Sequence, residues 1–152
     1  MKKFIFSIFS ILSLNPVHAG DTLRALFIGN SYTYVNNLPD VIGHLAASDG
    51  NTLVYDISAP GGSTLQQHCG NSTTLNLIQQ GNWDYLILQD QSKLPSFPDN
   101  QVESELYHFA KRLDRLVHVY TYCAKTVFYM TWGRKKGDQQ NCLGFPVLCT
   151  YE

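Results

Sequence analysis

Short apolar segments, rich in β-branched and aromatic residues, alternate along the chain with stretches of helical periodicity. Four such segments, at residues 23–28, 52–58, 83–89 and 125–131, are each followed by a turn. They are mostly continuously apolar, which is typical of strands buried on both faces of a parallel sheet. The pattern therefore predicts four parallel strands.

The stretches between these segments predict helices. Residues 38–48 carry Pro39 at an early helical position and are followed by Gly50 as a stop signal. Residues 64–80 have a helical pattern interrupted by Gly70, which predicts two short helices or a helix and a loop. Residues 102–119 predict one amphipathic helix, because apolar residues recur at three- and four-residue steps at Leu106, Phe109, Ala110, Leu113, Leu116 and Val117.

This alternation of strands and helices predicts a three-layer α/β/α sandwich with a mainly parallel sheet, as one domain over residues 20–152. Four strands are few for such a sheet, where about five or six are typical. Thr150 has the character of a helix N-cap, yet only Tyr151 and Glu152 follow it. We therefore expect the C-terminal part of the domain to be missing.

The first 19 residues have the composition of a secretory signal peptide. Lys2 and Lys3 precede an apolar run over residues 4–14, and Val17-His18-Ala19 supplies a small-residue cleavage site. A membrane anchor is disfavoured because the run is well short of the roughly 20 residues that cross a bilayer. We expect cleavage after Ala19, export to the periplasm or the medium, and no membrane attachment afterwards.

The charge balance gives no sign of a polyanionic partner. The chain has 11 Lys and Arg residues against 12 Asp and Glu residues, and removal of Lys2 and Lys3 with the signal peptide makes it more acidic. The short basic run at residues 134–136 lies between two glycines and suits a solvated loop. Nucleic acid is therefore not an expected partner.

The four cysteines of an exported chain predict disulfides. No C-x-x-C or H-x-x-x-H spacing supports zinc, and no metal is expected. Cys142 and Cys149 lie in a segment with glycine and proline and could close a small loop, which leaves Cys69 and Cys123 as the second pair. Three connectivities are possible, and the sequence alone does not choose among them.

A polar cluster follows each of the first three predicted strands. Gly29-Asn30-Ser31 follows the first, Gly61-Gly62-Ser63 the second and Gln89-Asp90-Gln91 the third. Reactive groups of open parallel sheets lie on loops at the carboxyl ends of the strands. A nucleophilic serine needs a base and donors for the oxyanion, and the second and third loops can supply the donors. Ser31 is therefore the candidate nucleophile.

On these motifs the chain resembles the SGNH hydrolases, also called GDSL esterases and lipases, and looks like an uncharacterised bacterial branch of them. Gly29-Asn30-Ser31 matches the block of the nucleophilic serine, with Asn30 in place of the usual aspartate. Gly62 matches a glycine whose N–H joins the oxyanion hole, and Gln91 stands where the family has an asparagine donor. The resemblance covers about residues 22–132.

The resemblance implies an α/β/α serine ester hydrolase that needs no cofactor. It implies that Ser31 attacks a small acyl ester or an acylated carbohydrate. It also implies that the oxyanion hole consists of the Ser31 N–H, the Gly62 N–H and the Gln91 side chain.

The family's fourth motif, D-x-x-H, supplies the base and its orienting acid, and this sequence does not contain it. Asp114 and His118 have the wrong spacing and lie in a predicted helix. His44 and His108 also fall on predicted helices, whereas His68 follows the second loop closely enough to approach the site. We therefore expect the chain as given to be inactive or nearly so.

Aromatic residues that follow strands, namely Tyr32, Tyr34 and Trp132, are candidates to line a substrate cleft, although core packing is the more frequent role of such residues. A non-catalytic domain that holds a carbohydrate or acyl ligand, as a degenerate or truncated hydrolase would, is the alternative function. Phosphate binding of the flavodoxin-like kind is disfavoured, because neither glycine loop has the lysine of a P-loop.

Overall fold

The computed structural model describes residues 20–131, 137, 142–144, 146 and 149. The predicted signal peptide and the predicted helix start at Thr150 lie outside the described residues. The four predicted strands form one parallel sheet in the order β2-β1-β3-β4. Their bounds are β1 Thr22–Ile28, β2 Thr52–Ser58, β3 Tyr85–Leu88 and β4 Lys125–Phe128.

The helices follow the predicted pattern closely. The helix predicted at residues 38–48 is found over the same residues, and the stretch 64–80 forms two short helices. The long predicted helix is a continuous helical segment from residue 99 to 120 that contains one π-helical turn. The helices are α1 Ser31–Tyr34, α2 Leu38–Ser48, α3 Leu65–His68, α4 Ser72–Gln80, α5 Asp99–Val102, the π turn Glu103–Tyr107 and α6 His108–Tyr120, with a 3₁₀ turn at Leu94–Ser96.

The main core lies between one face of the sheet and helices α3, α4 and α6. Leu26 and Leu86 are fully buried there against Leu113 of α6. Helix α2 packs on β2 from the other side, where the rings of Phe27 and Tyr55 meet edge to face at 6.0 Å. The sheet with helices on both faces is the predicted three-layer α/β/α sandwich. No helix within the described residues is long and apolar enough to cross a membrane.

The expectation that the strands are buried on both faces is met most fully by β1, one of the two inner strands. Ala25 to Ile28 of β1 are all buried, whereas β4 leaves Val127 43% exposed and Phe128 58% exposed. The physical reason is position in the sheet: β2 and β4 are its edges among the described residues, and helices cover them incompletely. A continuously apolar strand sequence therefore does not distinguish an edge strand from a central one here.

The strand order places the polar loops where they can meet. From β1 the chain passes first to β2 on one side and then to β3 on the other side. In parallel sheets such a change of direction opens a crevice at the carboxyl ends of the strands, which is the usual place for a ligand. The loop with Ser31 lies at the end of the central strand, between the two other polar loops.

Candidate active site

The nucleophile turn, Gly29-Asn30-Ser31, begins directly where β1 ends. The Gly29 N–H continues the ladder by donating to the Ser58 carbonyl at 3.0 Å. Any Cβ on residue 29 would lie 2.4 Å from Thr33 Oγ1 and 2.7 Å from Gln89 Oε1, so this close approach requires glycine. Ser31 is the first residue of α1 and its side chain is half-buried. The turn thus presents the serine at the mouth of the crevice.

Asn30 ties this turn to both neighbouring loops. Its side chain is 2% exposed; Oδ1 accepts from the Tyr32 N–H at 3.1 Å, and Nδ2 donates to the Ser63 carbonyl at 2.9 Å. Its backbone N–H donates to Gln89 Oε1 at 2.9 Å. One buried residue therefore links the loops that follow β1, β2 and β3.

The oxyanion turn, Pro60-Gly61-Gly62-Ser63, is a four-residue reversal after β2. The Ser63 N–H donates to the Pro60 carbonyl at 3.2 Å, and Gly62 has a φ of 71°, which favours glycine. The phenol oxygen of Tyr34 lies 3.5 Å from the position that a Cβ on Gly61 would occupy. Within the described residues the Gly62 N–H donates no hydrogen bond, and neither does that of Ser31.

The third loop presents a side-chain amide in a fixed orientation. Gln91 Oε1 accepts from the Lys93 N–H at 2.7 Å, so the amide oxygen is occupied and the Nε2 group remains. That Nε2 group donates to no atom of the described part of the chain. The three predicted oxyanion donors thus have no partner among the described residues, and they lie on three consecutive loops at one edge of the sheet.

Asp90 is a buried carboxylate beside this loop. It is 9% exposed, and its Oδ1 accepts from the N–H groups of Leu65 at 3.2 Å and Gln91 at 2.6 Å. Its Oδ2 is buried and has no hydrogen-bond partner among the residues that the structure describes. Burial raises the pKa of Asp90, against the two backbone hydrogen bonds that lower it. Asp90 therefore fixes the position of the third loop against α3.

His68, the histidine expected to approach the site, is buried in a different role. It is 1% exposed; Nε2 lies 2.7 Å from the Gly29 carbonyl and Nδ1 lies 2.8 Å from Thr74 Oγ1. A carbonyl only accepts, so Nε2 carries the proton and Nδ1 accepts from the Thr74 hydroxyl. Burial lowers the pKa of His68, which favours this neutral form. With both nitrogens occupied, His68 supports the turn and is not placed as its base.

The other histidines in the described chain do not contact Ser31. His44 and His108 are exposed on α2 and α6, and the His108 ring meets the Phe109 ring edge to face. His118 binds its own helix: its Nδ1 lies 2.7 Å from the Asp114 carbonyl and 3.5 Å from the Asp114 carboxylate. The described residues therefore contain a candidate nucleophile and candidate oxyanion donors, but no described histidine contacts Ser31.

A shallow cavity of about 180 Å³ is lined by Ser31 together with Tyr32, Val35 and Asn36. Tyr34, on the following turn of chain, is 46% exposed. The third predicted aromatic, Trp132, lies outside the described residues. Larger grooves of about 380 and 410 Å³ run along α6, and neither is lined by any of the predicted site residues.

The cysteine expectations are half correct. Cys142 and Cys149 form the predicted disulfide, whereas Cys69 and Cys123 are both free thiols, so the second pairing was wrong. Cys69 is buried with its sulfur 3.8 Å from the Phe109 carbonyl, and burial raises the pKa of its thiol. Cys123 is exposed in the turn between α6 and β4. Pairing by elimination fails because the fold buries Cys69 in the core and leaves Cys123 exposed to solvent.

Sequence reasoning missed the residues that hold the site together. Gln89 is 1% exposed, and its Oε1 accepts from both the Asn30 N–H and the Thr33 hydroxyl at 2.9 Å. Thr74 joins His68 to Ser58, whose hydroxyl lies 2.8 Å away. A polar residue directly after a continuously apolar strand is the one sequence signal that could have identified Gln89.

Comparison with known proteins supports the fold and leaves the family open. No protein-family model and no curated protein matches the chain. A solved structure that is similar is a DUF4886 family protein from Bacteroides uniformis, with a TM-score of 0.65 and 16% sequence identity. The similarity covers 85% of this chain and 57% of that chain. The chain thus shares its fold with a protein of which it spans little more than half the length.

Proposed function

We propose that the chain is an exported serine ester hydrolase, or a part of one, that uses Ser31 as its nucleophile. The observation that carries the proposal is a set of three donors with no partner in the described part of the chain: the N–H groups of Ser31 and Gly62 and the Nε2 group of Gln91. They lie on loops after three adjacent strands, which Asn30 and Gln89 hold together. Unpaired donors around a nucleophile are what an oxyanion requires.

The chemistry that follows is acyl transfer. The Ser31 hydroxyl oxygen bonds to the ester carbonyl carbon while its proton passes to a base, and the carbonyl oxygen becomes an oxyanion. The three donors stabilise that oxyanion. Collapse of the tetrahedral intermediate breaks the bond to the alcohol, which takes up a proton. Water then hydrolyses the acyl-serine by the same steps and releases the carboxylic acid.

The shape of the surface beside Ser31 favours a small acyl group. The cavity of about 180 Å³ has an apolar wall at Val35 and an aromatic one at Tyr32. Tyr34 is exposed, with its phenol oxygen near Gly61 of the oxyanion turn, and it offers a face on which a sugar ring can pack. We therefore propose short acyl esters, including acetylated carbohydrates, as substrates.

Export is part of the proposal. The N-terminal residues have the pattern of a signal peptide, and the Cys142–Cys149 disulfide is of a kind that persists in oxidising compartments. We propose the periplasm or the medium as the place of action.

The test is hydrolysis of 4-nitrophenyl acetate by the protein and by its Ser31→Ala variant, with Ser48→Ala on the exposed surface of α2 as the matched control. Because no described histidine contacts Ser31, the assay is run with and without imidazole as an added base. We expect imidazole to raise the wild-type rate to at least roughly tenfold above that of Ser31→Ala under the same conditions. Equal rates for wild type and Ser31→Ala at every imidazole concentration would refute the proposal.

A second candidate is a non-catalytic domain that binds a carbohydrate or an acylated ligand in the same crevice. The observation in its favour is that the Ser31 hydroxyl contacts no described histidine. This candidate predicts that acetylated sugars bind equally well to wild type and Ser31→Ala, and that Gln91→Ala and Tyr34→Ala weaken binding. Titration calorimetry of the four proteins separates it from the hydrolase.

A further inference from the structure

Asn30 has two side-chain bonds that act on different parts of the site. Oδ1 caps α1 by accepting from the Tyr32 N–H, and Nδ2 donates to the carbonyl of Ser63, the last residue of the oxyanion turn. The partners fix the orientation of the amide, because an N–H can only donate and a carbonyl can only accept. The cap of α1 requires the amide oxygen of Asn30, and the bond to Ser63 requires its amide nitrogen.

We propose that Asn30 is a positioning residue that couples the nucleophile turn to the oxyanion turn, a role that an aspartate at this position cannot fill at neutral pH. Its catalytic meaning rests on the proposed function. The coupling itself does not, since it is a property of the two turns.

Few other contacts restrain the oxyanion turn where it faces the nucleophile turn. Gly62 has free space where a side chain would be, and no described residue accepts from its N–H. Ser63 is held by its N–H to Pro60 within the turn and by its carbonyl to Asn30 across the crevice. The peptide group after Ser63 is also held from α3, because the Thr64 N–H donates to Gln67 Oε1 at 3.0 Å. The hydrogen bond from Asn30 holds the same peptide group from the nucleophile turn, and we infer that it contributes to the direction of the Gly62 N–H.

An aspartate would keep one function and lose the other. One carboxylate oxygen can still accept from Tyr32, but the second would face the Ser63 carbonyl, so that two acceptors oppose each other without a proton. Protonation of that carboxyl would restore a donor and with it the bond to Ser63. The Asn30→Asp variant is therefore expected to switch with pH, whereas the wild type does not.

The chain offers a matched control. Asn71 caps α4 in the same way, with Oδ1 accepting from the Thr74 N–H at 3.0 Å, and it makes no described bond through Nδ2. Asparagine and aspartate cap helices about equally well, so Asn71→Asp keeps everything that the native residue does. The two substitutions are chemically identical; they differ in the loss of the Nδ2 bond to Ser63 and in burial, since Asn30 is 2% exposed and Asn71 is partly exposed.

The experiment is amide NMR on the full ¹⁵N-labelled chain at pH 7 and pH 4, for wild type, Asn30→Asp and Asn71→Asp. At pH 7 we expect displaced Gly62 and Ser63 amide signals in Asn30→Asp only. The protection factor of the Ser63 N–H should fall by roughly tenfold, as expected for the loss of one buried hydrogen bond. At pH 4 the Gly62 and Ser63 signals of Asn30→Asp should return toward their wild-type positions. The change with pH should follow the titration of a single carboxyl group.

The proposal is overturned if Asn30→Asp matches Asn71→Asp at Gly62 and Ser63, or if the displaced signals do not titrate. Should Asn30→Asp not fold at pH 7, Asn30→Ser carries the test, because a serine hydroxyl keeps the cap and lacks the reach to Ser63. This variant is expected to displace the Gly62 signal equally at both pH values, and an undisplaced signal contradicts the coupling.

The experiments distinguish failure of the hydrolase proposal from failure of the proposed coupling. An inactive wild type whose Gly62 signal moves in Asn30→Asp contradicts ester hydrolysis and supports the coupling. An active wild type whose Gly62 signal does not move in Asn30→Asp supports ester hydrolysis and contradicts the coupling. If ester hydrolysis and the coupling are both confirmed, Asn30→Asp is expected to lower kcat at pH 7 with little change in KM, because the oxyanion forms only after the substrate is bound.

Discussion

His68 and Gly29 are joined by a hydrogen bond of 2.7 Å between the imidazole Nε2 and the carbonyl oxygen. A second contact, from Nδ1 to Thr74, continues to Ser58 at the end of β2. A histidine from the α3–α4 region thereby fixes the ends of two adjacent strands beside the candidate nucleophile. This is a structural role for a residue type that is first considered as a base in a serine hydrolase.

The neutral state of His68 makes stability depend on pH. Burial lowers its pKa in the folded protein, so the unfolded chain binds a proton more readily than the folded one. The stability that neutral His68 supports is complete above the unfolded pKa of about 6.5 and decreases as the pH falls below it. We expect the urea midpoint of the wild type to fall between pH 7 and pH 5.

Substitution isolates the contribution of His68 from those of other groups. In His68→Gln the side-chain amide can donate to Gly29 and accept from Thr74 without titrating. We expect a loss of no more than about 1 kcal/mol at pH 7 and a flatter pH profile below it. His44→Gln, on the exposed surface of α2, should leave the profile unchanged. A slope that persists in His68→Gln would assign the dependence to other groups.

Asp90 gives a pH dependence of the opposite sign. Burial raises its pKa in the folded state, so the folded protein holds that proton more tightly than the unfolded chain does. Its contribution is favourable at low pH and is lost as the pH rises from the unfolded pKa, near 3.9, through the folded one. Asp90→Asn keeps an oxygen for the N–H groups of Leu65 and Gln91 and removes the charge.

We therefore expect Asp90→Asn to be more stable than wild type at pH 7 by about 1 kcal/mol, with the gain disappearing toward pH 3. Denaturation midpoints at the two pH values measure this. Asp49→Asn, at an exposed position after α2, serves as the control for loss of one negative charge. A stability loss in Asp90→Asn at neutral pH would mean that the ionised carboxylate has a partner that compensates for its burial.

The two glycines Gly29 and Gly43 are expected to respond oppositely to alanine. A methyl group at Gly29 would collide with Thr33 Oγ1 and Gln89 Oε1 in the polar network, which should lower stability by about 1–3 kcal/mol. At Gly43, within α2, the nearest atom would be 4.0 Å away, so the helical preference of alanine should raise stability by about 0.5–1 kcal/mol. Thermal unfolding of the two variants tests the pair, and a tolerated Gly29→Ala would contradict the close packing of the turn.

The sequence was informative where one periodicity dominates. The strand at Thr52–Ser58 and the helix at Leu38–Ser48 were predicted to the residue, because turn residues and a proline mark their ends. The strands Tyr85–Leu88 and Lys125–Phe128 are shorter than predicted. The apolar residues that flank them lie outside the strands, either buried in the core or exposed at the surface. Trp83, for example, is buried before β3 begins. Hydrophobicity marks burial, and the hydrogen-bond ladder decides where the strand ends.

The π-helical turn shows a second limit of periodicity. Six apolar residues at helical spacing predicted one continuous face, but Leu106 lies in a separate small cluster with Leu94 and Val102, whereas Leu113 packs on the sheet. The wider turn at Glu103–Tyr107 rotates the two halves of the helix relative to each other. A spacing of three and four residues tolerates such a rotation, so the sequence does not reveal it.

The loops of the candidate site could be predicted from the sequence, whereas the hydrogen bonds that hold these loops in place could not. Ser31, Gly62 and Gln91 follow strands, and strand ends can be read from hydrophobicity. The bonds that hold these loops, by contrast, join residues 33 to 59 positions apart. Apart from its place directly after an apolar strand, nothing local in the sequence distinguishes the buried Gln89 from an exposed glutamine.

Gln89 is expected to be the most sensitive polar residue of the network. Methionine has nearly its shape but no acceptor of comparable strength, so Gln89→Met would leave the buried Asn30 N–H and the Thr33 hydroxyl without their partner. Two unsatisfied groups of this kind predict a loss of about 2–4 kcal/mol, measurable by urea unfolding. Gln79→Met, exposed on α4, is the matched control and should change stability by less than about 0.5 kcal/mol. Similar midpoints for the two variants would mean that the three loops are held together by other contacts, and that the arrangement of donors around Ser31 does not depend on Gln89.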